Sequence, residues 1–113
     1  MKINEKLLPQ IIESGTDYIR FYDGTQIAWK SATVTAGGTS WSGTGLYYSD
    51  HAMGSWERPF TSIFSIWAGT NASQYWTTSY NVTNTSAGFV RAFRPNNSTL
   101  SITVYLTVIG KWK

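Results

Sequence analysis

With 113 residues the chain has length for one domain with a modest core, and without cysteine it has neither a disulfide framework nor a thiolate metal site. Its net charge of +3 is a weak excess scattered along the sequence, lacking the basic stripe of a nucleic-acid binder. No apolar run approaches the length that crosses a bilayer, so membrane insertion is not expected.

Residues 1–12 hold the one candidate helix, because Ile3, Leu7, Leu8, Ile11 and Ile12 recur with roughly helical spacing. Pro9 interrupts that pattern after barely two turns, which predicts a short connector or stalk. The opening residues also lack the long apolar stretch and small-residue cleavage site of a signal peptide. Glu13-Ser14-Gly15-Thr16 is a turn-rich boundary, and a β domain is expected over residues 13–113.

Two alternating runs, Tyr18–Tyr22 and Thr25–Lys30, flank Asp23-Gly24, a strong hairpin signal because Gly24 takes a positive φ without steric cost. A two-residue loop would pair Phe21 with Gln26 and mix polar with apolar residues on both faces. A three-residue loop, Tyr22-Asp23-Gly24, instead pairs Ile19 with Ile27. That register groups Ile19, Phe21, Ile27 and Trp29 as the expected core face, with Arg20, Gln26 and Lys30 turned outward.

The second strand runs towards Thr35 and breaks at Gly37-Gly38, after which residues 36–59 form a long Gly/Ser-rich segment with a brief strand expected at Tyr47-Tyr48. Further strands follow at Phe60–Trp67, Gln74–Tyr80 and Phe89–Phe93, rich in β-branched and aromatic residues. The last strand has the cleanest alternation: Leu100, Ile102, Val104, Leu106 and Val108 point one way, and Ser101, Thr103, Tyr105 and Thr107 the other. The pattern predicts an all-β protein, a small antiparallel β-sandwich of about six to eight strands. Trp112, one residue from the carboxylate, implies that the C-terminus packs on its own domain or on a neighbouring subunit.

Chemistry-bearing residues are few. His51 with Asp50 and Glu57 has the residue types of acid–base or glycoside chemistry, but it reads as a polar loop tip. No nucleophile elbow, phosphate loop or metal spacing occurs, so the expectation is a non-enzyme with no cofactor and no metal. Arg91 and Arg94 beside Phe89 and Phe93 read as solvent-facing residues of an alternating strand, with no nucleic-acid partner. Asn71, Asn81, Asn84 and Asn97 match the glycosylation acceptor and read as turn chemistry.

Aromatics are the unusual quantity, with six Trp, seven Tyr and five Phe, more than a small sandwich core needs. Trp41, Tyr47, Tyr48 and Trp56, interleaved with Asp50, His51 and Arg58, have the make-up of a saccharide-recognition surface. Flat sugar faces stack on aromatic rings while polar side chains meet the hydroxyls. Asn71, Gln74 and Trp76 are a second group of candidates on the same grounds.

Glu13-Ser14-Gly15 and the run Tyr18-Ile19-Arg20-Phe21-Tyr22-Asp23-Gly24-Thr25-Gln26-Ile27-Ala28-Trp29 resemble the opening of C-terminal domains of tailed-phage and prophage tail fibres. Pro59-Phe60-Thr61-Ser62-Ile63 and the terminal Tyr105-Leu106-Thr107-Val108-Ile109-Gly110-Lys111-Trp112-Lys113 are similar to two later motifs of that family, in the same order. The second proline usual in the middle strand is replaced by Phe64-Ser65, and residues 36–59 have no counterpart in the pattern. The resemblance implies a receptor-binding β-sandwich at a virion's tail-fibre tip, a homotrimer that acts outside the host cell and binds its cell-wall or capsular saccharide. It carries over no binding residues. Three alternatives stay open: a purely structural fibre cap, a free-standing carbohydrate-binding module, and a glycan-cleaving enzyme using Asp50 and Glu57.

Overall fold

The computed structural model describes residues 10–113, and Ile3, Leu7, Leu8 and Pro9 of the expected connector lie outside them. Nine strands form two antiparallel sheets. The five-stranded sheet contains β1 (Ile11–Ser14), β2 (Tyr18–Phe21), β3 (Thr25–Ala36), β9 (Leu100–Lys111) and β6 (Ser62–Thr70), in that order. The four-stranded sheet runs β4 (Thr39–Trp41), β5 (Leu46–Ser55), β8 (Ser86–Arg94) and β7 (Trp76–Tyr80). The molecule is therefore a small all-β sandwich. β1 begins at Ile11, so the end of the expected connector runs within the sheet.

The long β9 organises the core. It lies between β3 and β6, and its Ile102, Val104, Leu106 and Val108 are buried as the alternation predicts, while Leu100 at its start stays exposed. Small residues oppose them on the other strands, including Ala28, Ala36, Ala87 and Ala92, and allow the sheets to approach closely. Trp56 and Phe60, in the connection between β5 and β6, pack edge to face at 5.5 Å and join this core.

The β2–β3 hairpin has the expected register but not the expected core face. Ile19 pairs with Ile27 around the three-residue loop, and Gly24 has φ +96°. Yet Tyr18, Gln26 and Ala28 are buried, whereas Ile19, Phe21, Ile27 and Trp29 are half-buried on the outer face. The pairing of β3 with β9 decides this: Ala28 lies opposite Val108, Ala32 opposite Val104, and Val34 opposite Ile102. The most apolar row of the sheet therefore carries the even-numbered residues of β3 inward with it. Gln26 is tolerated at 0% exposure because its amide accepts from Arg20 Nε at 2.6 Å and donates to the Arg58 carbonyl at 2.9 Å.

Most of the expected long loop, residues 39–55, is a second hairpin formed by β4 and β5. Ser42–Gly45 turns β4 into β5, with Gly43 and Gly45 at positive φ and the Thr44 N–H and hydroxyl both donating to the Trp41 carbonyl. The C-terminus packs on its own domain. Trp112 donates its indole N–H to the Phe21 carbonyl at 2.9 Å, and Lys113 Nζ donates to the Tyr22 carbonyl at 2.7 Å.

Candidate functional site

Strand register places a row of side chains across the outer face of the smaller sheet: Thr39, Tyr48, Phe93 and Trp76 stand side by side on four successive strands. Trp41, opposite Leu46, lies over this row. Its ring stacks on Phe93 at 5.2 Å and 24°, and meets Tyr48 edge-on at 6.2 Å. Between Trp41, Leu46, Trp76 and Phe93 lies a groove of about 280 Å³ with wholly apolar walls. Its two tryptophans stay open to solvent, Trp41 at 41% and Trp76 at 58%. Trp41 is held by Phe93 and Tyr48 along one side and offers the rest of its surface outward.

The adjoining row supplies the polar element. Asp50 lies opposite Arg91, which lies opposite Thr78. Arg91 grips the carboxylate with both arms of its fork, Nε to Oδ1 at 2.6 Å and Nη2 to Oδ2 at 2.9 Å. Its guanidinium also lies over Tyr48 at 4.3 Å, Tyr80 at 5.2 Å and Trp41 at 5.9 Å. The Arg91 hydrogen bond lowers the Asp50 pKa below its ordinary value and raises that of Arg91, with the Tyr80 hydroxyl contributing to both. Tyr80 itself stacks on Phe89 at 5.0 Å and 9°, extending the aromatic surface by one more pair.

Of the ten residues singled out from sequence, this face gathers Trp41, Tyr48, Asp50 and Trp76. Tyr47 and His51 alternate onto the opposite side of β5. There the His51 ring bonds Ser49 Oγ at 2.7 Å, Ser49 accepts from the Gly37 N–H, and burial lowers the His51 pKa. Trp56 is a core residue at 6% exposure, its indole N–H satisfied by the Thr83 carbonyl at 3.0 Å. Arg58 pairs with Glu13 of β1 at 3.2 Å, at the edge of the larger sheet. Asn71 Oδ1 accepts from the Thr103 N–H at 3.0 Å, and Gln74 Oε1 accepts from Arg94 at 3.2 Å. These two are occupied by turn and strand-end contacts.

Leu46, Phe93, Arg91, Tyr80 and Phe89 belong to the face and were not among the sequence candidates. The alternation Phe89-x-Arg91-x-Phe93 was the available signal, since alternate residues of one strand share a side. Asp50 and His51, as successive strand residues, point to opposite faces, and Glu57 lies beyond the end of β5. Among the described residues no three His, Cys, Asp or Glu side chains gather to hold a metal ion.

Fold and site together define a two-sheet antiparallel β-sandwich with an aromatic platform on the outer face of its smaller sheet. Compared with known proteins, the chain matches no family model, no curated protein and no solved structure.

Proposed function

We propose that this chain is a non-catalytic carbohydrate-binding domain whose platform stacks against a sugar ring of a host cell-surface saccharide, at the tip of a homotrimeric phage tail fibre. The observation that carries the binding reading is the pair of solvent-open tryptophans, Trp41 and Trp76, flanking an apolar groove. Trp41 is already stacked on Phe93, so it binds with little loss of side-chain freedom. The ordered likeness to tail-fibre C-terminal domains supplies the setting. Binding rather than cleavage is supported by Asp50, whose carboxylate is committed to Arg91 and carries no proton to donate at neutral pH.

The wholly apolar groove walls favour a second reading, in which the platform is a contact between subunits of a fibre cap. Binding to bacterial envelope preparations and glycan arrays, measured beside light scattering, separates the two. Trp41→Ala with Trp76→Ala is expected to abolish binding and leave the oligomer intact. Loss of the oligomer would favour the cap, and no binding by an intact wild-type oligomer would overturn the saccharide reading.

A further inference from the structure

The platform's charge distribution bears on what it binds. Of the residues that β4, β5, β7 and β8 turn to this face, only Asp50 and Arg91 carry charge. They stand directly opposite each other on neighbouring strands and neutralise one another through two hydrogen bonds. The net charge of +3 therefore lies elsewhere. Arg20 and Arg58 face Glu13, and Lys30 pairs with Asp17, all on the side of the larger sheet.

A ligand carboxylate, sulfate or phosphate would normally be gripped by an arginine fork. Here Asp50 occupies one edge of that fork, Nε and Nη2, and neutralises its charge. An anionic sugar that sought this edge would have to displace Asp50, which the paired strands hold in place at an effective concentration far above that of any free ligand. The Arg91 guanidinium also lies over the Tyr48, Tyr80 and Trp41 rings, so its work on this surface is to orient them. The groove, at about 280 Å³, falls just under the low end of ordinary ligand sites, roughly 300 Å³, which is the scale of one ring and not of a chain of rings.

Resting on the saccharide-binding reading above, we infer that the platform selects a single neutral sugar ring over anionic sugars, with Arg91 a positioning residue whose charge Asp50 neutralises. Thr39 and Thr78 lie at the rim beside the aromatic rows, where their hydroxyls meet those of a neutral ring.

The test is a titration of the full chain with neutral polysaccharides (glucan, mannan, galactan) and acidic ones (polyuronate, sulfated polymer) at low and high sodium chloride. The wild type is expected to bind at least one neutral polymer with less than about a twofold change between the two salt conditions. Acidic polymers are expected to bind at least about tenfold more weakly, as a face whose one ion pair is neutral offers an anion little attraction. Asp50→Asn, which frees the fork, is expected to raise affinity for the acidic polymer about tenfold at low salt. The wild-type salt series reports on selectivity even if that variant does not fold.

A wild type that prefers the acidic polymer, with salt-sensitive binding that Trp41→Ala abolishes, would overturn the neutral-ring inference and leave the platform reading standing. Binding to neither class would overturn both.

Discussion

Arg20 and Arg91 each lie against aromatic rings, yet the two clusters are built differently. The Arg20 guanidinium sits over Trp112 at 5.0 Å and Tyr18 at 5.9 Å. It donates to the buried Gln26 side chain at 2.6 Å and to the Pro59 carbonyl at 3.0 Å. Tyr18 is almost fully buried and Trp112 is anchored through its indole N–H, so this cluster closes one end of the sandwich. Among the described residues Arg91 has a side-chain carboxylate as partner and no backbone carbonyl, and Trp41 beside it remains open. The same guanidinium–ring contact seals a core where a buried amide and a backbone carbonyl complete its hydrogen bonds. Where one carboxylate suffices, it leaves an organised surface.

Substitutions can break that contrast, and the largest effect belongs to the sealed end. Gln26→Ala leaves the Arg20 N–H and the Arg58 carbonyl without their partner and opens a cavity. It is expected to cost about 2–4 kcal/mol in denaturant unfolding while saccharide binding by the folded fraction is unchanged. The open cluster reverses this ranking. Trp41→Ala removes one stacked pair from an exposed site and should cost less than about 1.5 kcal/mol of stability. Its saccharide affinity should fall at least about tenfold, or about 1.4 kcal/mol. A variant that unfolds as severely as Gln26→Ala would place Trp41 in the scaffold.

Acid unfolding sharpens the comparison on a smaller scale. Asp50 titrates below its ordinary value of 3.8 in the folded chain, so its contribution is present above that pH and lost as pH falls through the folded value. With both side chains of the pair partly exposed, the wild type should exceed Asp50→Asn by no more than about 1 kcal/mol near pH 6. The difference should close as pH falls below the ordinary 3.8 and through the lower folded value. The smallest effect is at His51, where burial favours the neutral ring and depresses the pKa from 6.5. Stability from this group is full above pH 6.5 and declines as pH falls below it. His51→Gln should flatten that part of the stability–pH curve and leave the rest unchanged.

How far the sequence could be read followed from how far each pattern extended. In β9 the apolar row from Ile102 to Val108 has no rival, and its burial follows from alternation alone. Asp23-Gly24 identified its turn because few dipeptides take that backbone geometry. The hairpin's inner face was not legible locally, since Ile19 and Ile27 on one side compete with Tyr18 and Ala28 on the other. Pairing with β9, about eighty residues away in the chain, resolves it. The site divides in the same way. Trp41, Tyr48, Asp50 and Trp76 were visible by side-chain chemistry, but their neighbours Arg91 and Phe93 arrive through cross-strand register. Trp56 has the same chemistry as Trp41 and became core, because its indole N–H finds a backbone carbonyl in the loop before β8.

The open aromatic cluster, and no other part of the molecule, is expected to meet the ligand. The most direct measurement follows the indole N–H resonances of the six tryptophans as a neutral saccharide is added, each assigned by single substitution. Trp41 and Trp76 are expected to shift in a saturable way, while Trp56 and Trp112, bonded to the Thr83 and Phe21 carbonyls, stay fixed. Shifts confined to Trp29 and Trp67, on the outer face of the larger sheet, would contradict the account, as would a saccharide that binds and moves neither Trp41 nor Trp76.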